Sequence, residues 1–298
     1  MVGVFRRSLS FPNKPLHRQS KPPISHHTRS ISLPCRSHPL ISHLRDGISE
    51  LRSWSSMAES RTSAWLCDGL TRLKEVHDCL DDLLQLPQTQ ESLRRQPHSV
   101  ENLLEDFLRF VDVYGIFQTL ILGLKQEQSA AQVALRKRDV VKIGNYVKAL
   151  KKTAKEMGKL VSAVRLISRP GPAAVCVGEA ELADAIGDVI EVTVVVSLAL
   201  FNGISVSLVG EKKGNWMMGL RLKKRAKKVK VEEAIEEFGE VGMDWLLGLR
   251  KKSDEEIRKG LKKMQEIEVC VGGIENGGER IFRSLISARV SLLNSFTR

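Results

Sequence analysis

The chain has 298 residues, of which 42% are hydrophobic and only 5% are aromatic. That balance supplies enough apolar side chains for a core, whereas the few aromatic residues and the ten prolines disfavour a β-sandwich or barrel. The net charge of +12 is concentrated in two places, because residues 1–45 carry +8 and residues 212–230 carry +9, which leaves −5 for the rest. The mildly acidic body does not indicate a domain that coats nucleic acid.

Residues 1–36 are rich in Ser, Arg, Pro and His and contain few large apolar side chains. Such a segment cannot bury enough surface to offset the entropy lost on folding, so we expect a disordered basic tail. The acid-free composition also fits a chloroplast transit peptide, and this alternative stays open. Five dispersed cysteines without a CxxC pair favour a reducing compartment, so we otherwise expect a protein that is cytoplasmic or peripheral to endomembranes.

The tail contains the pattern R-S-x-S-x-P twice, with the two copies 22 residues apart. An Arg three residues before a serine suits a basophilic kinase, and phosphate on that serine would offer negative charge and acceptor oxygens to an arginine cluster. The pattern is similar to the motif that dimeric 14-3-3 proteins recognise, although an Arg/Ser-rich tail also produces such strings by composition. The candidate docking residues are Arg7, Ser10, Pro12, Arg29, Ser32 and Pro34.

From residue 37 onward, apolar residues recur at steps of three and four, which predicts long amphipathic α-helices. Helices are expected over 37–168, where Pro87 interrupts them. Short connections between such helices predict an all-α fold, an elongated antiparallel bundle that forms one domain over 37–298. Its later parts are a Pro/Gly break at 169–178, a hydrophobic helix at 179–210, a basic linker at 211–230 and C-terminal helices at 231–298.

The C-terminal part shows two apolar stripes separated by the glycine pairs at 272–273 and 277–278. The first stripe comprises Ile257, Leu261, Met264 and Ile267, and the second comprises Ile281, Leu285, Ile286, Val290, Leu293 and Phe296.

Residues 192–210 form an uncharged run that is just long enough to cross a bilayer. Acidic residues before the run and basic residues after it would place its C-terminal end in the cytoplasm. Asn202, serines and glycines dilute its hydrophobicity, and a bundle helix that is buried on all sides has a similar composition. A buried core helix and a membrane span therefore stay open.

A lysine-rich segment follows this run and has three interpretations. It resembles a simple nuclear import signal, it could lie on an anionic membrane surface, or it could be a solvated linker that pairs with the acidic residues after it. Its basic residues are Lys223, Lys224, Arg225, Lys227, Lys228 and Lys230.

No combination of residues predicts a catalytic, cofactor or metal site. Asp78, Asp81 and Asp82 share one helix but lack a second acidic motif, so we expect solvated carboxylates rather than a magnesium site. The glycines at 272–278 lack the G-K-[S/T] ending of a phosphate-binding loop. We therefore expect a non-enzymatic protein with no cofactor and no specific nucleic-acid partner, which acts on protein partners.

Three stretches, taken in order, resemble a plant-specific family. They are SISLPCRSHPL at 30–40, VHDCLDDLLQLP at 76–87, and the ending from GIENG to RVSLLN within 273–294. Together they resemble the BYPASS-type family of plant proteins over residues 26–298, although Cys35 stands where a serine is expected. The resemblance implies a role in root and shoot development, in which a root-derived mobile signal is limited, and it supplies no catalytic residues.

These observations favour a regulatory or interaction protein of plant development. The main alternative is a membrane-anchored helical protein at an organelle or endomembrane surface, since 192–210 is more hydrophobic than the corresponding helix of the family. An enzyme that acts on a small mobile metabolite is the third hypothesis.

Overall fold

The computed structural model describes residues 38–56, 61–167, 177–209, 234–239 and 242–297. Every regular element in these ranges is helical, which confirms the predicted all-α fold. The elements are α1 (Pro39–Ser56), α2 (Ser63–Gln85), α3 (Pro87–Arg94), α4 (Pro97–Arg136), α5 (Val140–Arg165), α6 (Val177–Val209), α7 (Glu236–Gly239), α8 (Met243–Leu247), a 3₁₀ turn (Leu249–Lys251) and α9 (Asp254–Thr297).

Short-range chemistry explains where several helices begin. The side chain of Thr62 accepts a hydrogen bond from the Trp65 N–H at 3.1 Å, and Asp139 does the same for Lys142 at 3.0 Å. Pro87 and Pro97 stand in the first turns of α3 and α4, where a backbone N–H has no partner within the helix, so proline costs no helical hydrogen bond. Pro87 therefore ends α2, as predicted, and also starts a short helix that the periodicity did not indicate.

Side-chain contacts define the helix directions. The Gln128 amide of α4 donates to the Met264 carbonyl of α9 at 2.7 Å, and Gly278 of α9 lies against Phe117 of α4, so α4 and α9 run antiparallel. α1, α4 and α6 run one way, and α2, α5 and α9 run the other way. The antiparallel prediction is correct for the pairs α1–α2, α4–α5, α4–α9 and α5–α6, whereas α2 and α9 lie side by side in parallel.

The core lies around α6, which contacts α1, α2 and α5 along its length. Its Phe201 ring also meets two rings of α4, with centroids 5.5 Å from Tyr114 and 5.2 Å from Phe117. All three rings are fully buried. The most hydrophobic helix of the described chain thus packs against four other helices, α1, α2, α4 and α5.

α9 continues as one helix through both glycine pairs. A methyl group at Gly277 would lie 2.7 Å from Leu70, and one at Gly278 would lie 2.5 Å from Phe117, so the missing side chains let α9 approach α2 and α4 closely. Each glycine costs a helix about 1 kcal/mol relative to alanine, and the close packing offsets this cost. In the second predicted stripe, Ile286 and Val290 prove to be 40% and 47% exposed.

Candidate functional site

Several residues proposed from the sequence lie outside the described residues. They include the candidate docking residues of the tail, Arg7, Ser10, Pro12, Arg29, Ser32 and Pro34. They also include the lysine-rich segment, Lys223, Lys224, Arg225, Lys227, Lys228 and Lys230. The candidate site described below is therefore built from the helical body.

Five polar side chains meet at the centre of the bundle, and we call them the central polar cluster. His77 of α2 lies between two hydroxyl groups, with Nε2 2.9 Å from Thr193 Oγ1 of α6 and Nδ1 2.9 Å from Ser284 Oγ of α9. One turn further along α6, Ser197 Oγ lies 3.0 Å from the Tyr114 hydroxyl of α4. All five side chains are buried, and the cluster therefore links four helices by hydrogen bonds.

The His77 imidazole is neutral at cellular pH, because complete burial lowers its pKa to about 4. A neutral ring donates one hydrogen bond and accepts the other. The hydroxyls of Thr193 and Ser284 can also donate to the backbone carbonyls of Val189 and Ile281, at 2.7 and 2.9 Å. In either tautomer, one of the two hydroxyls must therefore donate its proton to the unprotonated ring nitrogen instead of to a backbone carbonyl.

The combination of an imidazole and a hydroxyl occurs in nucleophilic enzymes, but its surroundings here differ from an active site. In such sites a third group orients the base, and a substrate reaches the nucleophile. Asp78, the residue after His77, pairs with Lys74 on the exposed side of α2, while the ring itself has no exposed surface. The cluster is therefore arranged to hold α2, α4, α6 and α9 in register.

A second acidic residue of the 76–87 stretch, Asp81, also forms hydrogen bonds within the fold. Asp81 accepts hydrogen bonds from Ser287 at 3.1 Å and from Ser291 at 2.5 Å, both on α9. Asp78 and Asp81 thus point to different partners instead of converging on one ion. Within the described part of the chain, no group of three or more His, Cys, Asp or Glu side chains is arranged to hold a metal.

A shallow groove of about 370 Å³ opens on the surface between α1 and α2. Its floor is a stacked tryptophan pair, Trp54 and Trp65, with ring centroids 4.1 Å apart. Arg72 closes one side and pairs with Glu50 at 3.0 Å and with Asp68 at 2.8 Å. An aromatic floor with a charged rim is typical of protein-binding surfaces.

Sequence reasoning missed the central polar cluster, although signals were present. Thr193 and Ser197 stand four residues apart in an otherwise apolar run, which places both on one face of α6. His77 follows Val76 on the buried side of α2, between apolar positions. A histidine in an apolar stripe together with paired hydroxyls on a hydrophobic helix predicts a buried hydrogen-bonded contact.

Two described helices are long and apolar enough to cross a membrane by length and composition. Their most hydrophobic windows have mean hydropathy 1.5 within Pro97–Arg136 and 2.2 within Glu181–Val209, and the bundle buries 39% and 56% of these windows. In α6 the buried positions include Thr193 and Ser197, which bond to other helices. Core helices of soluble proteins pass the same test of length and composition.

Comparison with known proteins identifies one family. The family model described as Protein BPS1 matches residues 69–294, which include the second and third stretches that resemble the BYPASS-type family. No similar curated protein and no similar solved structure was found.

Proposed function

The chain belongs to the Protein BPS1 family, of the BYPASS type, and from that premise we propose that it is a non-enzymatic regulatory protein of plants. Its role is in root and shoot development, where it limits a root-derived mobile signal, as the family resemblance implies. It acts through its surface on protein partners.

One observation supports a surface mechanism. The only imidazole in the described core is enclosed, with both ring nitrogens 2.9 Å from hydroxyls of neighbouring helices. A group that takes part in catalysis must reach a substrate, whereas a group that holds helices in register does not need to do so. This enclosure supports the proposal that the cluster serves folding and that the protein acts through its surface.

Complementation with cluster variants tests this reasoning. His77→Gln and Tyr114→Phe each remove one polar function of the cluster, and Ser284→Ala removes another. If the chain acts through its surface, each variant supports growth of a plant that lacks the protein in proportion to its folded fraction, measured by thermal melting. A variant that stays folded but fails to complement would indicate chemistry at the cluster and would overturn the non-enzymatic proposal.

Reciprocal grafts test the developmental role. Roots that lack the chain should arrest a normal shoot, because an unrestrained root signal travels upward, whereas normal roots should support a shoot that lacks the chain. Shoot growth that follows the genotype of the shoot alone would contradict a role in limiting a root-derived signal.

The partners that we propose for the tail are 14-3-3 dimers, bound after phosphorylation at Ser10 and Ser32. The duplicated R-S-x-S-x-P pattern supports this proposal, because each copy has Arg at the position that a basophilic kinase recognises. Two copies on one strand suit a dimeric reader.

A second candidate function is that of a membrane-anchored protein, which the hydropathy of 2.2 within α6 favours. In that case α6 would leave the bundle and span a bilayer, and the protein would resist extraction by carbonate. Release of the tagged full chain into the carbonate supernatant would exclude a spanning α6 and leave the bundle described above.

A further inference from the structure

α5 carries a row of lysines on its outer face, which we call the lysine stripe. It comprises Lys148, Lys151, Lys152, Lys155 and Lys159, all exposed. Their spacing by three and four residues places them on one side of the helix, over about 16 Å at 1.5 Å per residue. The opposite side of α5 carries buried residues such as Tyr146 and Leu150.

The charge of the stripe is largely unbalanced. α5 contains seven Lys and Arg residues and a single acidic residue, Glu156, which pairs with Lys159 at 2.9 Å. Among the described residues, none of the other four stripe lysines has an ion-pair partner. Like charges four residues apart destabilise a helix, and the stripe contains three such pairs: 148/152, 151/155 and 155/159. The stripe therefore costs the fold stability.

The two long helices that pack against α5, α4 and α6, offer the stripe little negative charge, and the short α8, which also contacts α5, adds one acidic residue, Asp244. α6, which packs against α5, has no charged residue from 192 to its end at Val209. On α4, Glu127 lies near Tyr146, whose pKa is raised by burial and, to a smaller extent, by that carboxylate, but Glu127 stands at one end of the stripe. An anionic partner outside the described bundle would balance the lysines.

We propose that the lysine stripe docks the protein on an anionic phospholipid surface. A straight row of lysines on a convex helix matches a flat array of headgroup charges, and each lysine near such a surface contributes to binding. The same face carries an exposed apolar residue beyond each end of the row, Val141 at 75% exposure and Leu166 at 74%. These two side chains can enter the interface while the lysines contact headgroups.

The stripe is poorly suited to nucleic acid, the other common polyanion. Binding to single strands uses exposed aromatic side chains on which bases stack, but the one aromatic residue of α5, Tyr146, is buried. The stripe also contains no Arg, the residue that most often recognises base edges. This inference does not depend on the developmental role, because membrane docking and signal limitation are measured separately.

Vesicle co-sedimentation of the full chain tests the proposal. The vesicles contain phosphatidylcholine alone or with a quarter of phosphatidylserine, and each measurement is repeated at low and high salt. The stripe variant is K148Q/K151Q/K152Q/K155Q, and the matched control is K251Q/R258Q/K259Q/K262Q, which removes the same charge from exposed positions around the start of α9. A third variant replaces Lys223, Lys224, Arg225, Lys227, Lys228 and Lys230 with Gln.

We expect the parent and the α9 control to bind the anionic vesicles, with binding weakened by salt, and the stripe variant to bind at least tenfold more weakly. The stripe variant should melt no lower than the parent, because its repulsive lysine pairs are gone. Equal binding by parent and stripe variant would overturn the proposal, and a loss confined to the third variant would assign docking to 223–230. Absence of parent binding to anionic vesicles would also overturn it, as would binding of the parent to RNA or DNA alone.

Discussion

A single imidazole organises the polar contacts of the core. His77 joins α2 to α6 and α9 through two hydroxyls, and the Tyr114–Ser197 bond adds α4 one turn away. Buried hydrogen bonds of this kind contribute little net stability, but leaving one partner unpaired costs about 1–3 kcal/mol. The cluster therefore penalises any shift of one helix along another, which apolar packing alone would tolerate better.

His77 should also make stability depend on pH. Its pKa falls from 6.5 in the unfolded chain to about 4 in the bundle, so only the unfolded chain takes up a proton between these values. The contribution of the neutral ring is therefore complete above pH 6.5 and decreases as the pH falls toward 4, by about 3 kcal/mol in all. Denaturant unfolding of the parent and of His77→Gln at pH 7 and pH 4 measures how much stability each protein loses between these two pH values. The parent should lose about that much more than the variant, and equal losses would show that His77 is not the group responsible.

Two glycines of α9 give opposite predictions. Gly278→Ala places a methyl group 2.5 Å from Phe117, which overpacks the α4–α9 contact and should destabilise the fold by about 1–3 kcal/mol. Gly272→Ala meets nothing within 4 Å and should stabilise the same helix by about 1 kcal/mol through helix propensity. Urea unfolding of both variants distinguishes the effect of close packing from that of helix propensity. A Gly278→Ala variant more stable than the parent would show that Gly278 is not needed for the close approach of α9 to α4.

At the scale of elements, periodicity predicted the long helices because each has one buried stripe. α2 and α5 lie within the predicted helical range 37–168, and the apolar residues that recur along them at steps of three and four are buried. They include Leu66, Leu70 and Leu73 of α2 and Ile143, Val147 and Leu150 of α5. Periodicity could not distinguish a glycine that ends a helix from one that lets two helices approach, so the continuity of α9 was missed. Periodicity also could not predict that Ile286 and Val290 are exposed, because their exposure depends on which side of α9 faces α2 and α4.

The buried stripes of α2 and α4 predict large effects of truncation. Leu80 and Phe107 are 0% and 1% exposed, so Leu80→Ala and Phe107→Ala should each destabilise the fold by about 2–5 kcal/mol through lost burial and a residual cavity. Leu122→Ala on α4 is the matched control, because that side chain is 52% exposed and its truncation should cost less than about 1 kcal/mol. Thermal melts of the first two variants within a degree of the parent would refute their placement in the core.

At the scale of the whole molecule, charge and burial are separated along the chain. The described helices place the uncharged part of α6, residues 192–209, inside the bundle and lysines of α5 on the outside, while the two most basic stretches of the sequence, 1–45 and 212–230, belong almost entirely to the residues outside the described ranges. The bundle follows from apolar patterning. The partners of the basic stretches do not, because a charge run specifies only the sign of what it binds.

The duplicated motif makes the most specific prediction about a partner. Phosphate on Ser10 and Ser32 should allow one chain to occupy both grooves of a 14-3-3 dimer. The 21 residues between the serines span about 25 Å on average if the linker is a flexible coil, as its composition predicts. Once the first phosphoserine is bound, the second is held at high effective concentration and binds without further loss of translational freedom.

Calorimetry with peptides of residues 1–40 measures this effect. The doubly phosphorylated peptide should bind a 14-3-3 dimer about 10²–10⁴-fold more tightly than either singly phosphorylated peptide, although it makes no new kind of contact. Chemically phosphorylated peptides in which Arg7 and Arg29 are replaced by Lys show whether these arginines contribute to docking itself or only to recognition by the kinase. Equal affinities of the singly and doubly phosphorylated peptides would rule out bivalent docking. Absence of binding by all of them would remove 14-3-3 proteins as partners and leave the tail as a transit peptide or a solvated arm, which import of the full chain into isolated chloroplasts would then distinguish.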